Sequence, residues 1–357
     1  MRVKIAALTL CLSLLLSGCS SLLNRSYSSE TPHTQFSGEA SDTDVLRAEN
    51  YQGLVSAILH LVTEGQGSGV IRLYNYQGTV ESDVDAACLE VTKKDPLGAY
   101  AVEYMKYNVT RVRTYYEAAL TIIYRRTPEQ IAAVVSVTGT NAIRSELMQT
   151  MAEYRPEVAF RVSYFNDAEN AESIRQMVED AYYDVPYAAM GMPEVTVNLY
   201  PDSGQQRLVE ILLTYSGEAV LLQQRQEDLL TKAEEMTASL LAMPEEDRLT
   251  EIIEKLSTVE TVQEGENCAS VWSALMQNKA DSEGMALAVQ VLCQYASLKC
   301  ELVRGTRGGQ PWCWNEVCVN SRWAHLDLTR EKPHLMTDAQ MESRGYDWEQ
   351  DGLPVCG

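Results

Sequence analysis

Apolar and polar residues alternate along this chain in two rhythms, and the switch between them occurs twice with an offset near 90 residues. Val70-Ile71-Arg72-Leu73-Tyr74-Asn75-Tyr76 predicts a strand, and so does Val158-Ala159-Phe160-Arg161-Val162-Ser163-Tyr164. Behind each comes a polar turn and then an apolar stripe at spacings of three and four. The stripe is Val84, Ala87, Cys88 and Val91 in the first copy, and Ile174, Met177, Val178 and Ala181 in the second. Both helices stop before a proline, Pro96 and Pro186, because the residue preceding proline is driven to extended backbone. Two strands close each copy: Ala101 to Val109 with Tyr116 to Tyr124, and Val195 to Leu199 with Arg207 to Tyr215 around the turn Tyr200-Pro201-Asp202-Ser203-Gly204. The predicted unit is βαββ. Thr127-Pro128-Glu129 opens a helix leading into Asn141 to Glu153, and these helices are assigned to the first copy, residues 43–157, with the second at 158–216.

From Gly217 to about Ser257 the pattern is helical. Leu221, Leu222, Leu229, Leu230, Ala233, Met236, Leu240 and Leu241 stand among Gln, Glu and Lys, and Pro244 divides two segments of a connector at 217–261. Heptads are not sustained, which favours a core stripe over a coiled coil. After Cys268 comes a short helix, Ala269 to Gln277, and then Ser282-Glu283-Gly284 opens a long apolar helix ending near Ala296. Three strands follow, at Cys300 to Arg304, Trp312 to Val317 and Trp323 to Thr329, as an antiparallel meander. The fold class is α+β.

The start of the chain follows neither rhythm. Arg2 and Lys4 precede an apolar run from Ile5 to Leu16, of signal-peptide length and too short to span a bilayer. It ends in Leu16-Ser17-Gly18-Cys19, which resembles the lipobox of bacterial lipoproteins. That resemblance implies loss of residues 1–18 and attachment of lipid, palmitate included, to Cys19. The acyl chains would hold the protein on the extracytoplasmic side of the cell membrane, at about 0.8 kcal/mol per buried methylene. The alternative is a plain secretory signal with Cys19 an ordinary thiol. Ser20 to about Asp42 is rich in Ser, Thr, Asn and Gly, as suits a flexible tether.

Removing 18 of the 357 residues leaves 339, enough for about two domains, and an apolar share of 45% allows a true core. The formal charge of -21 becomes -23 once Arg2 and Lys4 are lost, which argues against nucleic acid as a partner. Seven cysteines remain beyond Cys11 and Cys19, at 88, 268, 293, 300, 313, 318 and 356. There is no CxxC pair, and the four histidines (33, 60, 325 and 334) are not spaced with the cysteines as metal ligands, so neither a metal nor another cofactor is expected. Cys88 fills the slot that Val178 fills in the second copy and reads as a small core residue. Cys300 and Cys318, on adjacent strands, are candidate disulfide partners.

Helix plus meander at residues 262–357 resembles the transglutaminase-like superfamily, relatives of the papain-type cysteine proteases. The likeness rests on Gly284, Gly305, Trp314-Asn315, Trp323, Asp327 and Thr329 at matching spacings, over about Val271 to Thr329. In that family a nucleophilic Cys starts the helix, two residues before a Gly. A His precedes x-Trp-Asn on the second strand, and an Asp lies in Trp-x-x-x-Asp-x-Thr on the third. Carried over position by position, the Cys becomes Ser282, the His becomes Trp312, and Asp327 alone is kept.

The replacements matter chemically. A helix N-terminus helps make a thiolate, but a serine hydroxyl needs an adjacent base. An indole has a donor N–H and no basic nitrogen. Losing nucleophile and base together typically costs about 10⁴ to 10⁶ in turnover. The leading expectation is an inactive pseudoenzyme domain that binds peptide, protein or cell-wall glycan, with Trp312 and Trp314 on one face beside the cleft. The opposing expectation for Trp312 is that it fills the vacated pocket. An active hydrolase or acyl-transferase using Ser282 with another base is the alternative, with His325 the base to consider. A third reading makes the domain a support for the repeats.

Overall fold

The computed structural model describes residues 45–163, 171–263, 268–330 and 333–357. Cys19, the preceding apolar run, the tether and Tyr164 lie outside the described residues. Among the described residues no helix is long and apolar enough to cross a membrane. The chain is α+β. It divides into two compact units. One comprises the described residues up to Leu61 with Gln66–Cys88 and Met105–Ile122, and the other holds Val62–Gly65, Leu89–Tyr104 and everything from Ile123 on.

The repeat is real but larger than predicted. Its first copy runs β1 (Leu46–Ala48), α1 (Tyr51–Thr63), β2 (Ser68–Tyr74), α2 (Val80–Lys93), α3 (Pro96–Ala101), β3 (Val102–Val112) and β4 (Tyr115–Tyr124). After a short helix α4 (Pro128–Ala132), the second runs β5 (Val135–Val137), α5 (Thr140–Ala152), β6 (Glu157–Val162), α6 (Ala171–Asp184), β7 (Glu194–Tyr200) and β8 (Arg207–Thr214). The sheets have the same order, β1-β2-β4-β3 and β5-β6-β8-β7. In each, the first strand pairs parallel with the second, as Leu46 with Ile71 and Val135 with Phe160. The unit is therefore βαβαββ. The segment from Val135 to Ala152, assigned from sequence to the first copy, belongs to the second, because β5 hydrogen-bonds to β6. Each three-residue edge strand is too short to carry a readable alternation.

Apolar periodicity was the sounder guide inside the helices. Val84, Ala87, Cys88 and Val91 are all buried, and so are Ile174, Val178 and Ala181. Burial pushes the Cys88 thiol up to about 12, as befits a core residue. Pro96 and Pro186 each start a new short helix, supplying the preset φ of a first turn.

The connector forms α7 (Ala219–Thr237) and α8 (Glu245–Leu256), joined through a 3-10 turn at Leu240–Ala242. Leu222, Leu229, Ala233, Leu240, Leu249 and Ile252 enter one core with the second sheet and the C-terminal helix. Leu221 and Leu241, counted in the predicted stripe, face outward. The C-terminal elements are β9 (Glu260–Thr261), α9 (Val271–Gln277), β10 (Lys279–Ala280), α10 (Ser282–Tyr295), β11 (Lys299–Arg307), β12 (Gln310–Val319), β13 (Arg322–Leu326), α11 (Asp338–Glu342) and β14 (Tyr346–Trp348). The expected meander gains β14 as a fourth strand, in the order β13-β12-β11-β14.

An ion pair to a buried carboxylate ties the segment after β4 to the second sheet. Arg126 Nη2 meets Glu210 Oε1 at 2.6 Å, and Glu210, 1% exposed, also accepts from Asn198 Nδ2 at 2.9 Å and the Tyr200 hydroxyl at 3.2 Å. The Arg126 guanidinium lies 4.9 Å from the Tyr100 ring centre. Replacing Arg126 by Met strands a buried carboxylate and should cost about 3 kcal/mol or more in urea unfolding. Arg175→Met breaks a pair with an 82%-exposed Glu172 and should cost less than about 1 kcal/mol.

Candidate functional site

Helix α10 is apolar nearly all round and buried nearly throughout, so its N-terminus is held in place by the core. Asp281 caps it, accepting from the Gly284 N–H at 2.9 Å. Ser282 is its first residue and 2% exposed. Gly284 lets the Cys268 backbone approach, since a Cβ there would stand 2.3 Å from the Cys268 carbonyl oxygen. The buried Asn315 amide of β12 donates to the Ala286 carbonyl at 3.0 Å, fastening strand to helix. Beside it the Cys313 N–H donates to Ser282 Oγ at 3.1 Å.

Of the three positions carried over from the resemblance, Trp312 and Asp327 are bonded to each other, and Ser282 meets the backbone of the neighbouring Cys313. Trp312 Nε1 donates to Asp327 Oδ2 at 3.2 Å. Asp327 is 1% exposed and also accepts from the Tyr346 hydroxyl at 2.5 Å and from Thr329 N at 2.9 Å and Oγ1 at 2.5 Å. This explains the Asp-x-Thr spacing, because Thr329 closes a local turn on the carboxylate. Burial, and then the bond to Asp327, pushes the Tyr346 phenol up to about 12. Arg307 sits 5.1 Å from the Trp312 ring centre and 3.7 Å from Asp327 Oδ2. Gly305 faces Trp312 across the β11–β12 ladder, and a Cβ there would meet the Asp347 carbonyl at 2.4 Å.

Trp314 is not the exposed binding residue expected from sequence. It is 1% exposed, with Tyr346 and Trp348 packed edge-on at 5.2 and 5.7 Å between ring centres. Trp312 does share its face of β12, but that face is covered by β14 and by the segment around Met336 and Met341. Sequence periodicity could not anticipate this cover, because β14 is only three residues long.

His325 does not serve Ser282. It is fully buried, its Nδ1 accepts from Trp314 Nε1 at 3.0 Å, and its Nε2 meets Asp338 Oδ1 at 2.9 Å. Burial lowers its pKa against the opposing pull of Asp338. Glu316 faces it across the ladder, fully buried and pushed up to about 7 by burial and by Asp338. Cys356 is buried nearby, its thiol raised to about 12 by burial and then by Glu316 and Asp338. Spacing along the chain carried no sign of this cluster, since its members lie on three separate elements.

The proposed Cys300–Cys318 disulfide does not fit the register. Cys300 faces Val317 while Cys318 faces Lys299, which puts the two thiols on opposite faces of the sheet. Cys300 lies instead beside Cys293 of α10, and burial and that neighbour hold its thiol well above the ordinary range.

No protein-family profile matches the chain, and no curated protein matches it. Among solved structures it is similar to a TGase at 14% identity and a TM-score of 0.29, covering 54% of this chain and 57% of that one. A proposed cysteine protease from Cytophaga hutchinsonii aligns at 10% identity and a TM-score of 0.23, over 45% of this chain and 70% of that one. A proposed protease from Parabacteroides distasonis aligns at 10% identity and a TM-score of 0.26, over 77% and 61%. The chain thus spans little more than half the length of the TGase.

Asp327 has a structural duty that can be measured without any substrate. Asp327→Ala leaves several buried donors unmet and should lower stability by about 3 kcal/mol in urea unfolding. Gly284→Ala drives a methyl into the Cys268 backbone and should cost about 1–3 kcal/mol by the same measurement.

Proposed function

We propose that this chain is a bacterial lipoprotein, anchored through lipid on Cys19 and facing away from the cytoplasm. Its C-terminal body is a transglutaminase-like domain that does not catalyse and serves as an interaction module for peptide, protein or cell-wall material. The observation that carries the reading is the bond from Trp312 Nε1 to Asp327 Oδ2 at 3.2 Å. In a working triad an imidazole N–H would point at this carboxylate and leave a second nitrogen as the base. The indole makes the same bond and has no second nitrogen to offer.

Ser282 is a serine at a helix N-terminus, with the Cys313 N–H donating to its hydroxyl. The helix dipole does not bring a hydroxyl into a reactive ionisation range, and proton abstraction needs a base within hydrogen-bond reach. His325, the base considered from sequence, is engaged by Trp314 and Asp338. Arg307 lies over the Trp312 ring, 5.1 Å from its centre. Recognition would then use the outer rim of this corner, where Arg307 is 37% exposed by its side chain.

Two measurements test the reading. Full-length protein treated with a fluorophosphonate should show no mass shift at Ser282. A stoichiometric adduct there, lost on denaturation, would sink the inactive assignment. Expressed in a bacterial host with a palmitate analogue, the wild-type chain should take up label and partition into the detergent phase. Cys19→Ser should do neither, and label persisting in that variant would exclude the anchor.

A further inference from the structure

We propose that Glu316, His325 and Cys356 form a closed binding site for one divalent transition-metal ion of the zinc class, with Asp338 as its supporting residue. The three ligand atoms, a carboxylate oxygen, an imidazole nitrogen and a thiol sulfur, lie within 4.8 Å of one another. Glu316 and His325 are fully buried and Cys356 is 2% exposed.

The observation that calls for an ion is the state of Glu316. Neither of its carboxylate oxygens has a hydrogen-bond partner among the described residues. Oε1 stands 3.5 Å from His325 Nδ1, too far for a well-formed hydrogen bond. Native structures rarely leave a buried carboxylate in this condition, and a bound ion is among the recognised explanations. Asp327, one strand along, shows how the same sheet treats a carboxylate it means to satisfy internally: by surrounding it with donors.

The surroundings have the character of a metal site. A nitrogen, a sulfur and an oxygen donor together suit zinc. The Asp338 carboxylate meets His325 Nε2 at 2.9 Å, as carboxylates commonly do to the non-ligating nitrogen of a metal-bound histidine. That bond, with Trp314 donating to Nδ1, places the ring proton on Nε2 and leaves the lone pair on Nδ1, 3.5 Å from Glu316 Oε1. Asp338 also accepts from the Cys356 N–H at 3.2 and 3.3 Å, which holds the cysteine beside the histidine. Two adjustments accompany binding. The Trp314 N–H now on Nδ1 must release it, and ligand atoms up to 4.8 Å apart must close by about 1 Å to reach zinc bond lengths near 2.0–2.3 Å. The thiol gives its proton to solvent as it ligates. Such a site would tie β12, β13 and the segment carrying Cys356 into one body.

The test is titration of the reduced, chelator-stripped full chain with Co(II) alone, followed by competition with Zn(II). One equivalent of cobalt should bind and produce a thiolate-to-cobalt charge-transfer band in the near ultraviolet, and zinc should abolish it. Cys356→Ser should lose the band, and Cys313→Ser should keep it. Glu316→Gln, a neutral isostere that keeps the packing, should weaken binding by about 100-fold or more, and Asp338→Asn by about 10–100-fold. Folding of each variant is read by circular dichroism. No saturable binding at one equivalent would overturn the site. So would a thiolate band that survives Cys356→Ser, or an affinity unchanged in Glu316→Gln.

Discussion

A carboxylate taken out of water must be given donors or it destabilises whatever buries it, and Asp327 concentrates that demand in the C-terminal sheet. It lies just after β13 and is 1% exposed. Its donors come from Trp312 on β12, Tyr346 on β14 and Thr329 in the turn beyond, with Arg307 of β11 3.7 Å away. Satisfying two oxygen atoms therefore constrains every strand of the sheet at one end. The same end receives the N-terminus of α10 through the Cys313–Ser282 bond. The site corner and the packing of the sheet are consequences of one electrostatic requirement.

That requirement is one an imidazole and an indole meet equally well. To the carboxylate the two rings are alike, since each presents one N–H along the same line. To a hydroxyl awaiting deprotonation they are opposites, because the indole has no lone pair to lend. The aromatic surface gained is not idle, because Arg307 lies over it and Trp312 packs against the cluster holding Tyr346 and Trp348. Holding a carboxylate and accepting a proton are separate tasks because they use different atoms of such a ring.

Much of this was legible in the sequence wherever the signal was periodic or local. The stripes of α2 and α6 bury as their spacing predicts, and Ser282-Glu283-Gly284 opens α10 as expected. Trp312 and Asp327 are bonded directly, while Ser282 meets the backbone of Cys313. What escaped depends on pairing between distant segments. β1, β5 and β14 are three residues each, and their existence is decided by a partner strand rather than by their own pattern. The covering of Trp314 follows from β14, so a tryptophan that alternation placed on an open face became core. The Cys300–Cys318 pairing failed for a related reason, since a one-residue difference in register reverses which face a side chain occupies.

The two carboxylates of this sheet differ in a way that side-chain chemistry alone does not explain. Asp327 and Glu316 bracket Trp314 on one face, and both are buried almost completely. The sheet supplies Asp327 with neutral and cationic donors that converge from three directions. Around Glu316 it places an imidazole whose N–H is turned away to Asp338, a thiol and a second carboxylate. Adding negative groups near an unpaired carboxylate raises the cost of burying it, so the arrangement does not act as a substitute for hydrogen bonding. It lowers that cost when a cation is at its centre, because then each added donor strengthens the same attraction. The difference between the two ends of β12 is thus one of the partner each was built around: the protein's own N–H and O–H groups at one end, and a positive charge at the other.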